Sequence, residues 1–235
     1  MNKTIFSFTA IVCAMGLPTA SAALIAGSDF SDSAKFNAAG GTYDNAATST
    51  DDLNLTDNIT VSGWTFANGG SFQGFDGNAQ AGMPNDNVTK INGDGQLQPA
   101  LGASPAGFAS VSFSITIPGG TALDLSSVDW VSRQATGSAA RWLAFSTSLD
   151  TTLIYSEQGQ GRNDGIDTVS VDLTGALYQG LTDQTVTFNW FAGGNGSGDM
   201  DFDTPTVNGN VSAIPEPSTA LLGLLGGLAL LRRRR

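Results

Sequence analysis

Histidine is absent from the 235 residues, and the one cysteine, Cys13, falls in an apolar N-terminal run. These two absences close most catalytic designs. There is no Ser-His-Asp or Cys-His nucleophile, no histidine-based zinc site and no imidazole proton transfer. A lone cysteine at position 13 forms no intramolecular disulfide, so the fold must stand on its core. Basic residues are scarce, 10 against 21 acidic ones, and four of them are Arg232–Arg235 at the very end. The central region therefore lacks the clustered Lys and Arg that nucleic acid or anionic lipid requires. Glutamate is nearly missing too, with only Glu157 and Glu216 beside many aspartates. Aspartate favours turns and caps over helix interiors. Gly193-Gly194-Asn195-Gly196-Ser197-Gly198 lacks the lysine of a phosphate loop and opens no helix. It reads as a flexible hairpin connection.

What the chain has is glycine, 30 residues of it, with four tryptophans and thirteen phenylalanines. That is the composition of short strands joined by turns around an aromatic core, not of disorder. Period-two alternation is plain at Val111–Ile117, Val169–Leu173 and Val186–Trp190, each closed by Pro or Gly. Weaker strands are expected at Ile59–Phe66, Leu123–Val131, Arg141–Ser146, Leu153–Ser156, Met200–Phe202 and Val207–Val211. Residues 67–107 read as long surface loops with one or two short edge strands. About nine strands with spaced turns predict an all-β fold, a single β-sandwich of jelly-roll type spanning 23–212.

Both ends carry export features. Lys3, the apolar Ile5–Leu17, Pro18 and the small residues Ala20 and Ala22 make residues 1–22 a secretory signal peptide, cut after Ala22 or Ala23. Its removal, and that of the terminal arginines, leaves five basic residues against 21 acidic ones, a formal balance of −16. Residues 213–235 are tripartite: Pro215-Glu216-Pro217-Ser218, an apolar run from Thr219 to Leu231, and Arg232, Arg233, Arg234 and Arg235. The prolines keep the peptide extended and accessible. The apolar run enters a membrane as a short helix, and the arginines act as a stop-transfer cluster on the cytoplasmic side. Thirteen residues span only about 20 Å as a helix, against about 30 Å of hydrocarbon, which suits a transient signal better than a permanent anchor. Gly223 and Gly227 have small-xxx-small spacing, which a transient signal also contains.

This tail resembles the PEP-CTERM sorting signal of Gram-negative bacteria. The resemblance implies handling by an exosortase-type membrane protease after passage through the secretion machinery. It further implies an inner-membrane intermediate, then a cell-surface or extracellular product associated with exopolysaccharide or biofilm. Ile214 stands where the family usually shows valine. In the middle of the chain, Leu123–Val128 and Met200–Asp203 with Val207–Gly209 look like the β-sandwich ectodomains often attached to this tail.

Among acidic residues, Asp199, Asp201 and Asp203 stand out. On a strand they share one face, about 7 Å apart, with Met200 and Phe202 on the other. They could ligate calcium if loop carbonyls completed the shell; the plainer reading is a solvated edge opposite a buried Met-Phe pair. Asn163-Asp164-Gly165-Ile166-Asp167 is a second oxygen-rich turn without the spacing of a calcium loop. Trp130, Trp142, Trp190, Tyr155 and Tyr178 invite a sugar-stacking reading, with Arg133 and Arg141 loosely bracketing Trp142. Core packing or an ordinary surface position is the simpler expectation for each aromatic, with Trp142 able to lie on either face, and for Trp190 its phase with Val186 and Phe188 places it in the core. Three roles follow: a non-enzymatic exported surface protein, a carbohydrate-binding module with or without calcium, and a carboxylate-only hydrolase. The first fits best, since no pair of aspartates stands out as an acid and base.

Overall fold

The computed structural model describes residues 22–28, 36–37, 42–43, 59–76, 88–92, 97–134, 141–158, 166–194 and 199–214. In chain order the strands are β1 (Ala23–Gly27), β2 (Phe36–Asn37), β3 (Thr42–Tyr43), β4 (Thr60–Val61), β5 (Thr65–Ala67), β6 (Ser71–Asp76) and β7 (Val88–Asn92). They continue with β8 (Ser110–Ile117), β9 (Thr121–Gln134), β10 (Arg141–Thr147), β11 (Tyr155–Gln158), β12 (Asp167–Asp172), β13 (Gln184–Gly194) and β14 (Asp199–Ala213). Two six-stranded antiparallel sheets result. The first runs β12-β9-β14-β7-β6 with β1 also on β14; the second runs β11-β10-β13-β8-β4 with β5 also on β8. The β2–β3 pair stands apart.

Alternation explains why two faces meet. In β8, Val111, Phe113, Ile115 and Ile117 point inward while Ser112, Ser114 and Thr116 point outward; β13 places Val186, Phe188 and Trp190 inward in register with them. The first sheet answers with Val128, Trp130, Met200, Phe202 and Val207. Trp190 lies at the centre, 5.6 Å from Phe113, 5.1 Å from Phe145 and 5.5 Å from Phe202 between ring centroids. Each large side chain so buried contributes about 1.5–3 kcal/mol. From β8 onward the chain keeps switching sheets, second for β8, β10, β11 and β13, first for β9, β12 and β14. That crossing pattern is the jelly-roll arrangement expected from the strand spacing.

Several local expectations are corrected. Met200–Phe202 and Val207–Val211 are one strand, β14, because Pro205 falls in a bulge where the register with β9 shifts between Asp203 and Thr206. A missing N–H costs nothing there. Thr204 takes a positive φ of 46° to make the bend, and the Pro205 carbonyl accepts from Ser28 N at 3.0 Å. The expected Ile59–Phe66 strand splits into β4 and β5, and Trp64 between them turns into the core. Within 67–107, β7 is no edge: it lies between β14 and β6. The strand expected at Leu153–Ser156 moves to Tyr155–Gln158, since the Leu153 backbone exchanges hydrogen bonds with Gly102 and Ala103 instead. The glycine-rich 193–198 connection is not a hairpin, because β13 and β14 belong to different sheets. Of the expected signal peptide, residues 1–21 lie outside the described residues, as do the Pro-Glu-Pro motif, the apolar run and the arginines. Among the described residues no helix is long and apolar enough to cross a membrane.

Candidate functional site

Asp201 and Asp203 do not line a solvated edge. Asp201 is 1% exposed and accepts from Arg133 Nε at 3.0 Å, an ion pair buried on the outer face of the first sheet. The register makes the pair: Asp201 of β14 lies opposite Arg133 of β9. The other carboxylate oxygen of Asp201 is buried without a hydrogen-bond partner. Asp203, fully buried, accepts from Thr204 N at 2.7 Å and so holds the bulge. The expected Met200 and Phe202 burial holds, both at 0%. The side chain of Asp199 lies outside the described residues, and among those described no group of three potential ligands could hold a metal. Of the Asn163–Asp167 turn only Ile166, packed on Val131, and Asp167 are described.

The aromatic candidates are core or near-core residues. Trp130 and Trp190 face the sandwich interior, and Tyr178 is buried with its hydroxyl accepting from Thr147 Oγ1 at 3.5 Å. Tyr155 is half-buried and meets Trp130 edge-on at 5.1 Å. Burial first, then the carboxylates of Glu157 and Asp167, push the Tyr155 phenol far above its ordinary value, so it remains neutral. Trp142 points to the outer face of the second sheet but is covered, 5.4 Å from Phe108 in a T-shaped contact. Arg133 is on the first sheet and Arg141 is buried at the start of β10, so neither brackets Trp142 in space.

The segment 97–108 makes that cover. Gly102 N donates to Leu153 O at 2.9 Å, Leu153 N to Ala103 O at 2.9 Å and Ser156 Oγ to Pro99 O at 2.6 Å. So pinned, it lays Ala103 and Phe108 over Trp142, Ala144, Leu153 and Phe191, a small second core outside the sandwich. Where the cover stops, a cleft of about 320 Å³ opens. Asn68 and Ser104 form one side, Asp150 and Ser146 the other, with Asn189 and Phe191 between them. Asn68 reaches its place through a left-handed turn with Gly69 (φ 52° and 82°), and its amide donates to Phe108 O at 3.0 Å. The opposite turn is fixed by Asp150 Oδ1, which accepts from Thr152 N at 3.0 Å and Thr152 Oγ1 at 2.8 Å. Hydroxyls and amides share the walls about equally with apolar groups of Pro105, Ala106 and Phe191, and the cleft has one carboxylate, already hydrogen-bonded. Such a lining exchanges hydrogen bonds with a hydroxyl-rich ligand; it offers no second carboxyl group to pair with Asp150 as acid and base.

None of these cleft residues is singled out by sequence reasoning. The available signals were the Asn68-Gly69 turn dipeptide and the outward phase of Asn189 in β13. Neither says that loops far apart in sequence meet over one strand.

No protein-family model and no curated protein matches the chain. Solved structures with similar sandwiches include the CBM22-1 xylan-binding domain from Paenibacillus barcinonensis Xyn10C, with 11% identity over 63% of this chain and 86% of that one, TM-score 0.37. A family 11 carbohydrate-binding module from Clostridium thermocellum, in complex with a mixed-linked tetrasaccharide, has 13% identity over 68% and 92%, TM-score 0.31. The arabinose-bound α-L-arabinofuranosidase MgGH51 has 13% identity over 79% of this chain and 27% of that one, TM-score 0.38. At such scores no site residue carries across.

Proposed function

We propose that this chain is an exported, non-enzymatic surface or matrix protein whose sandwich holds polysaccharide in the cleft on its second sheet. The carrying observation is the cleft itself, an open recess where hydroxyl and amide groups from four separate segments converge around Asn189. Its single carboxylate favours holding a ligand over hydrolysing one. Calcium has no part in this reading, because the Asp201 charge is met by Arg133. Retention of the exported protein in native gels containing xylan, mixed-linkage β-glucan, galactan or mannan tests it. One of these should slow the wild type, chelator should change nothing, and the pair N189A/S146A should abolish the retardation. Thr168→Ala, on the other sheet, should leave it intact. Wild type that runs unretarded in every gel would sink the proposal.

The route belongs to the same proposal and rests on the ends of the sequence. A signal peptide removed after Ala22 leaves Ala23 as the first residue of β1. The Pro215-Glu216-Pro217 motif follows Ile214, whose N–H donates to Gly120 O at 2.8 Å. An exosortase-type protease would therefore meet its motif immediately beside the folded domain.

A further inference from the structure

The two outer faces of the sandwich differ sharply in charge. By register the first sheet turns outward Asp124, Asp129, Arg133, Asp172, Asp201 and Asp203. The corresponding positions of the second sheet carry no charged side chain at all. β8 contributes Ser110, Ser112, Ser114 and Thr116, and β13 contributes Thr185, Thr187, Asn189 and Phe191. Thr60, Thr65 and Ala67 flank them on one side and Trp142, Ala144 and Ser146 on the other. In a chain of net charge −11, a sheet face whose described strand positions carry no charge, with Asp150 at the cleft wall beside it, is a departure from the mixed charges of ordinary solvated surfaces.

The hydroxyls there are ordered in ranks. Thr116 and Thr185 hydroxyls are 3.0 Å apart, Ser114 and Thr187 2.8 Å, and Ser112 and Thr65 2.7 Å. The exposed Thr116–Thr185 pair uses one donor and one acceptor site and leaves others for a ligand; the Ser114–Thr187 pair is half-buried, and Ser112 is buried with its hydroxyl also facing Thr65 O at 3.5 Å. The Ser112 rank includes Asn189 and Ser146, which line the cleft. Cleft and ranks are thus one continuous surface, and from Phe191 to Thr185 it runs about 20 Å at the rise of a strand.

We infer that the ligand of the proposed cleft is an extended, uncharged polysaccharide chain, seated at Asn189 and laid along the hydroxyl ranks to Thr116 and Thr185. This rests on the glycan reading above and adds the ligand's neutrality, length and direction. An anionic glycan would gain nothing from a face without cations and would be repelled by Asp150 and the acidic molecule. A chain that leaves the cleft toward the rim covers several sugar units, so affinity rises with chain length.

Titration calorimetry with matched tri- and hexasaccharides of xylan, β-glucan, galactan and mannan, using the whole exported protein, tests this. The hexasaccharide of the retained polymer should bind roughly tenfold more tightly than its trisaccharide, about 1.4 kcal/mol. In T116A/T185A, which removes two exposed hydroxyls far from the core, that difference should vanish while trisaccharide binding persists. Equal affinity for both lengths, an unchanged length preference in the variant, or tighter binding of oligoguluronate would overturn the inference while leaving the cleft reading standing. Absence of binding to every hexasaccharide would end both. A dimer at working concentration that T116A/T185A dissolves would assign the face to a second copy of the chain and refute the inference.

Discussion

At the scale of single residues, the Arg133–Asp201 pair is the most exacting feature. Both side chains are 3% exposed or less, so neither charge has water to fall back on. Removing Asp201 takes from the buried Arg133 guanidinium a charged partner at 3.0 Å, at a cost of about 3–5 kcal/mol. Asp201→Ala should therefore lower the denaturation midpoint far more than the paired replacement R133M/D201L, in which neither charge of the pair is left. Denaturant unfolding of wild type and the two variants checks this, and equal losses would refute the account. Gly193 is constrained by contact, not by φ. A Cβ there would overlap the Trp142 ring at Cζ2 and displace the ring on which the 97–108 cover rests.

At the scale of elements, β1 and β14 matter most. β14 is the longest strand, and its edge away from β9 is shared by β7 at Asp199–Phe202 and by β1 at Thr206–Gly209. The first strand therefore closes onto the last, burying Ile25 and Ala26 against the core. Deleting residues 23–27 should expose that edge and cost several kcal/mol, on the order of two buried apolar side chains plus the ladder. The expected readout is a lower melting temperature with concentration-dependent aggregation; an unchanged melting curve would show β1 to be dispensable. Strand type was legible from alternation wherever Val, Phe or Ile recur every second residue, as in β8 and β13. β1 was not, because five residues are too short for a period. β7 is not legible for a related reason: Val88-Thr89-Lys90-Ile91-Asn92 has no apolar alternation, and only pairing to β14 and β6 makes it an inner strand.

At the scale of the whole molecule, the sandwich has two different ends. Ala23 lies opposite Gly209 near the finish of β14, and Ile214 bonds to the Pro118–Gly120 turn, so both ends of the domain leave from one pole. Asn189 lies five residues along β13 from Gln184, which pairs with Ile117 beside that turn. The cleft is therefore about 17 Å from the exit pole. A membrane-held precursor would present the cleft away from the bilayer. Replacing Arg232–Arg235 with serine should let the short apolar run slip through and leave uncut precursor in the periplasm, since each arginine at bilayer depth costs about 2.5–3.5 kcal/mol. Glu216→Ala should leave precursor at the membrane, uncut. Fractionation with mass spectrometry of the C-terminus separates the two, and a mature product still ending in four arginines would defeat the sorting proposal.

The sequence by itself determined the absence of histidine chemistry, the acidic balance, the alternating strands and the inward phase of Trp190, because each is a property of composition or of a two-residue period. Which carboxylates are buried, and with what, was decided by tertiary structure. Asp201 meets Arg133 only because β14 pairs with β9 in one register, a contact between positions 68 residues apart. The cleft likewise exists only where the turn at Asn68, the cover at Ser104, the bend at Asp150 and strand β13 converge. A local pattern encodes which way a side chain points from its own strand. Which distant segment it then faces is set by sheet pairing and by the order in which the chain crosses between the sheets.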